Sequence, residues 1–190
     1  MASLVLSGDT SGSITVSAPA VAGSNTQTLV ATTGTLAPIV SGTAVTASGA
    51  SVDFTGIPSW VKRITVMLSG VSTSGTSDVI IQLGTGSTTY TTTGYLGSVS
   101  TQTGTTEMFT SGFKVVNGQA AASLWHGNIS IINVNSNLWS ESGILGNSNA
   151  SGTRTSGGSI ALSAALTAIR ITTVNGTDTF DAGTINILYE

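Results

Sequence analysis

The run Trp60-Val-Lys-Arg-Ile-Thr-Val-Met-Leu68 decides the fold class. Successive side chains of an extended chain point to opposite faces, so Ile64, Val66 and Leu68 share one face while Arg63, Thr65 and Met67 take the other. That alternation predicts a half-buried strand. Comparable runs follow at 78–83, 123–134, 159–162, 168–174 and 183–189, the last with Ile185, Ile187 and Tyr189 on one face. These runs are short and rich in β-branched residues, and clusters of Gly, Ser and Asn separate them. No stretch keeps an apolar period near 3.6. The expected fold is all-β, a jelly-roll-like β-sandwich over residues 51–190.

Turn chemistry supports that assignment. Ser74-Gly75, Thr85-Gly86, Asn117-Gly118, Gly157-Gly158 and Asn175-Gly176 offer residues that tolerate positive φ where strands must reverse. Residues 1–50 read differently: Ala, Ser, Thr and Gly are frequent, aromatics are absent, and Pro19 and Pro38 fall here. A segment so poor in large side chains cannot build its own core. It is expected to be an extended N-terminal arm for attachment or assembly, ordered by packing on neighbours, with a boundary near residue 50. No regular repeat marks a long fibrous shaft.

Charged residues make up 7 % of the chain, against 39 % hydrophobic, and the net charge is −3. Average domains carry about a quarter charged residues, so the surface must be largely neutral and polar. The five basic residues, Lys62, Arg63, Lys114, Arg154 and Arg170, are scattered and form no patch to neutralise phosphates, which argues against a nucleic-acid partner. The opening residues lack the basic and apolar regions of a secretory signal, and no apolar run approaches the ~18 residues of a membrane span. A soluble product made in the cytoplasm, without a membrane partner, is expected. With no cysteine in the chain, disulfides and thiolate metal sites are excluded.

Candidate chemistry is sparse. A Ser/His/Asp triad would have to be built around His126, the single histidine, which adjoins Trp125 in an apolar strand and reads as structural. Asp178 and Asp181 lie close enough in sequence to bind a cation or to act as a glycosidase pair, but capping of a loop before the last strand is the commoner use of such residues. The triplets at Asn128, Asn149 and Asn175 match the glycosylation acceptor pattern, and without a signal segment they are assigned no role. Among the aromatics, Trp60 and Trp125 neighbour apolar strands and are expected in the core. Trp139, in Asn135-Ser-Asn-Leu-Trp-Ser-Glu141, is the expected exposed one and the candidate ligand contact. No catalytic residue, cofactor site or metal site is expected.

Two passages resemble bacteriophage particle proteins. Leu6-Ser-Gly-Asp-Thr-Ser-Gly-Ser-Ile-Thr-Val-Ser-Ala-Pro-Ala20, followed by Thr26-Gln-Thr-Leu-Val-Ala-Thr-Thr-Gly-Thr35, is similar to the N-terminal motif of phage and prophage fibre-type proteins. Gly56-Ile-Pro-Ser-Trp-Val-Lys-Arg-Ile-Thr-Val-Met-Leu-Ser-Gly-Val71 and the closing stretch Ile169-Arg-Ile-Thr-Thr-Val-Asn-Gly-Thr-Asp-Thr-Phe-Asp-Ala-Gly-Thr-Ile-Asn-Ile-Leu-Tyr-Glu190 resemble a β-rich C-terminal module of tail-fibre and other virion proteins.

The resemblance implies a non-enzymatic structural protein on the virion exterior, a homotrimer whose partners are itself and the major capsid or tail proteins. It supplies no catalytic motif. A long tail fibre needs a shaft and an attachment domain, and 190 residues hold neither, which shifts the expectation to a capsid decoration (cement) or head-fibre protein. The alternative is a tail-fibre or tail-tip receptor-binding module that recognises a host surface glycan through loops at 90–110 or 133–155. A depolymerase with paired carboxylates is the remaining and weakest reading.

Overall fold

The computed structural model describes residues 3–7, 11–17, 38–121 and 123–190. The chain divides into two units, Met1–Leu36 and Ala37–Glu190. In the first, strands β1 (Ser3–Ser7) and β2 (Ser13–Ser17) pair antiparallel. Val5, Leu6, Ile14 and Val16 of this hairpin are all exposed.

The second unit is a β-sandwich. In chain order its strands are β3 (Val40–Ser41), β4 (Val45–Thr46), β5 (Ser51–Thr55), β6 (Arg63–Thr73), β7 (Val79–Gly84), β8 (Leu96–Thr101), β9 (Thr106–Met108) and β10 (Phe113–Lys114). They continue with β11 (Trp125–Asn135), β12 (Leu138–Asn147), β13 (Thr153–Ala161), β14 (Ala168–Thr173) and β15 (Phe180–Tyr189). A nine-stranded sheet runs β3-β15-β6-β11-β12-β13-β8-β9, with β4 also on β15, and a four-stranded sheet runs β10-β7-β14-β5. Every pairing is antiparallel.

One apolar core joins the two sheets. The large sheet contributes Ile64, Val66, Leu68, Ile129, Ile131, Leu145, Ile185 and Ile187, and the small sheet contributes Val52, Phe54, Ile81, Leu83, Ile169 and Ile171. The alternation in 60–68 falls as expected: Ile64, Val66 and Leu68 are buried while Thr65 and Met67 lie on the outer face. All six residues of β7 are buried, which explains why Val79-Ile80-Ile81 is apolar on both faces rather than alternating; Gln82, buried beyond them, donates to Ser111 O at 2.9 Å.

Two of the chain's crossings between the sheets lie side by side, from β6 to β7 through Ser74-Gly75 and from β14 to β15 through Asn175-Gly176. The crossings hold each other: Ser74 N donates to Thr179 O at 2.8 Å, and Val174 N donates to Asp78 O at 2.9 Å. Gly176 has φ +68°, so Asn175-Gly176 turns the chain as expected, though between sheets and not within a hairpin.

Residues 40–50, expected in the arm, take part in the sandwich unit. β3 and β4 pair with β15, Gly42 N donates to Ile187 O at 2.7 Å, Ala47 N donates to Gly183 O at 2.9 Å, and Ala47 is buried. Their small side chains follow from close approach: a Cβ on Gly42 would stand 3.0 Å from Ile187. This stretch contributes backbone pairing where its composition suggested only that it lacks core bulk.

Gly157-Gly158 is no turn. Both residues lie inside β13, opposite Ser142 and Glu141 of β12. A Cβ on Gly158 would come within 2.6 Å of Leu96 O and 2.7 Å of the Phe109 ring, so glycine is there to admit the ring. Gly158→Ala should therefore cost about 1–3 kcal/mol by overpacking. Thermal unfolding followed by circular dichroism should show a melting temperature lower by several degrees; an unchanged one would mean that the ring moves aside freely.

Candidate functional site

The aromatic expectation reverses. Trp139 is 4 % exposed and belongs to the core, whereas Trp60 is 41 % exposed and packs against Tyr189 with ring centroids 6.0 Å apart. The cause is the tightness of the β11–β12 turn. Ser136, at φ 45°, and Asn137 complete it, so Leu138 already begins β12 and alternation sends Trp139 inward beside Ile160. Trp60 lies in a turn where Val61 N donates to Pro58 O, because the strand expected from the run 60–68 begins only at Arg63. Trp139 is thus in no position to contact an external ligand.

His126 is a structural tie. Its Nδ1 accepts the Gly70 N–H at 3.1 Å, which puts the ring proton of the neutral form on Nε2, 3.0 Å from Ser148 Oγ. Both bonds lie where the β11–β6 register shifts, and Gly70 there has φ +64°. Asp178 caps the crossing loop: it accepts from Ser77 N and from Asn175 Nδ2, each at 2.9 Å, and these bonds, the Asn175 one foremost, lower its pKa. Asp181 sits in β15 and accepts from Ser72 Oγ. The two carboxylates serve separate partners. Among the described residues no group of three or more His, Cys, Asp or Glu is gathered as a metal ion would require.

A polar chain closes one end of the sandwich. Lys114 Nζ bridges Asp78 at 3.0 Å and Glu107 at 2.8 Å. Asp78 also accepts from Gln119 N, whose side chain accepts from Trp125 Nε1 at 2.6 Å and donates to Thr73 Oγ1 at 3.0 Å. Arg154 lies over the Trp125 ring at 4.9 Å and donates to Asn117 O. Burial opposes the charge of Lys114, but its bonds to Glu107 and Asp78 outweigh that and raise its pKa. Here the polar groups clamp the two sheets to each other.

Glu141 differs from these. It is buried on the inner face of β12, where Oε1 accepts from Ser156 Oγ at 2.6 Å and Oε2 has no hydrogen-bond partner among the described residues. Burial pushes its pKa up to about 7, against a smaller lowering by Ser156. The indole Nε1 of Trp139, two residues earlier on the same face, is also without a partner.

The outer face of the nine-stranded sheet has the most distinctive chemistry. Ser98, Gly157, Ser142, Ser130, Thr65 and Leu188 stand in register across six strands. The adjoining row is Ser100, Thr155, Ile144, Asn128, Met67 and Asn186. Neither row holds a charged residue. Large apolar side chains nevertheless project from this face at separate points: Ile144 is 60 % exposed, Leu96 68 % and Met108 83 %, and Ile132 is exposed in the row of Leu96, with Ser140 and Ser159 between the two. At its border Arg63 pairs with Glu190. The small sheet contrasts, since Arg170 there binds Asp53 through two bonds of 2.7 and 2.8 Å and lies over Tyr90 at 4.1 Å.

Sequence reasoning missed this face because two of its strands, β8 and β13, are written mostly in Ser, Thr and Gly. No single strand carries a signal for it: Leu96 and Val99 fall on opposite faces of β8, and Ile144 and Leu145 are consecutive in β12, so neither stretch alternates. Comparison of the chain with protein-family models, with curated proteins and with solved structures finds no match.

Proposed function

We propose that the chain is a non-enzymatic structural protein of a bacteriophage particle, a homotrimer on the virion exterior that acts as a capsid decoration (cement) or head-fibre protein. The observation that carries this reading is the pair of uncharged rows on the outer face of the large sheet, with Ile144, Leu96 and Met108 exposed on that face. Exposed apolar groups on a broad sheet face are what an assembling subunit presents before it meets its neighbours. The likeness of residues 6–20, 26–35, 56–71 and 169–190 to phage fibre-type and virion proteins supplies the particle context.

The receptor-binding alternative drew on an exposed Trp139, and that support is gone because Trp139 is buried. Gold-labelled antibody against the chain, applied to intact phage particles, tests the proposal. Label on the outside of heads or tails is the expected result. Particles that carry none of the protein would refute it.

A further inference from the structure

We infer that the outer face of the nine-stranded sheet, centred on Ile144, is the surface through which copies of this chain bind one another. The inference rests on the proposed reading as a self-assembling structural protein and names the partner of that face.

Geometry provides the area. The strands β15, β6, β11, β12, β13 and β8 lie side by side. At about 4.8 Å between strands and about 3.4 Å per residue, a patch six strands wide and about eight residues long covers roughly 800 Å². That is about what each partner contributes to a stable complex of standard size.

Charge selects the occupant. Every copy carries the same net charge of −3. Contact between copies is therefore favoured where charge is lacking, and the two central rows of this face have none. A strongly charged partner would find only the Arg63–Glu190 pair at the border, whose two charges already offset each other. Ile144, Leu96 and Met108 are the apolar projections that such a contact would remove from water. The Ser, Thr and Gly residues between them let a facing surface approach closely.

Light scattering of the full chain at about 100 μM, a concentration at which micromolar complexes are well populated, provides the test. Wild type should show a mass that is a multiple of 18.9 kDa. Ile144→Lys and Leu96→Lys both place a charge at an exposed outward position, so each should keep the wild-type circular dichroism spectrum while its mass falls to that of one chain. Val174→Lys, at an exposed site outside the large sheet, should leave the mass unchanged.

A monomeric wild type would overturn the inference. So would assembly that survives both face variants with their fold intact, or dissociation by Val174→Lys to the same degree. If one face variant fails to fold, the other decides the matter. A monomeric wild type would also remove the trimer from the proposed function, whereas the place on the particle is read from labelled particles and can stand or fail separately.

Discussion

Ile187→Asp should abolish the folded sandwich. Ile187 is buried opposite Val66, on a strand whose neighbours are β6 on one side and β3 and β4 on the other. An aspartate there must hold an unpaired charge in the core or take up a proton at a cost. Either way the loss is several kcal/mol, a large part of the ~5–15 kcal/mol that stabilises a typical domain. The variant should collect in the insoluble fraction, or show no cooperative melt if recovered. Ile187→Val, which removes one methylene group, should cost only about 1 kcal/mol and remain soluble. Soluble Ile187→Asp with a near-native melting temperature would mean that β15 is peripheral to the core.

Stability should fall as pH rises from about 4.5 to about 7, and Glu141 should be the cause. Its folded pKa lies above its ordinary value, so between the two the folded chain holds a proton that the unfolded chain has released. Stability from this group is complete below about pH 4.5 and is lost as pH climbs through about 7. Each unit of difference corresponds to about 1.4 kcal/mol, which makes the total loss about 3 kcal/mol. Glu141→Gln keeps an acceptor for Ser156 Oγ but cannot ionise. It should match wild type near pH 4.5 and exceed it by about 3 kcal/mol at pH 8, as read from urea unfolding at each pH. Parallel curves for the two proteins across that interval would show that the Glu141 carboxyl reaches water.

How much of this was legible in the sequence depended on how strongly each strand alternates. β6, β7, β11, β14 and β15 carry β-branched apolar residues on at least one face, and runs at 60–68, 78–83, 123–134, 168–174 and 183–189 locate them. β12 and most of β13 were not legible. Their inner positions include Glu141, Ser156 and Gly158, which read as loop residues until Ile131 and Phe109 are seen to surround them with apolar groups. Gly157-Gly158 imitates a turn for the same reason: a glycine that admits a neighbouring ring and a glycine that reverses the chain are identical in sequence. Trp139 and Trp60 were misread because the first residue of each strand is hidden in the sequence: β12 begins at Leu138, so alternation turns Trp139 inward, whereas β6 begins at Arg63 and leaves Trp60 in the turn before it. The two uncharged rows could not be seen at all from one strand, since they exist only once six strands are in register.

The partnership of β6 with β15 also bears on how the chain reaches its fold. Ile64 lies opposite Tyr189 and Thr73 opposite Phe180, so the first long strand of the sandwich pairs with the last across most of the chain. Contacts of such long range must pay loop-closure entropy before they return any stabilisation, which makes their formation slow. During synthesis the hairpins β11–β12 and β12–β13 can close as soon as their residues emerge, while one edge of β6 stays unpaired until β15 has been made. For that interval the nascent chain exposes a β-branched edge able to pair with any other strand. Conditions that slow translation or crowd the ribosomes should therefore divert this protein into aggregates more than its native stability alone would suggest.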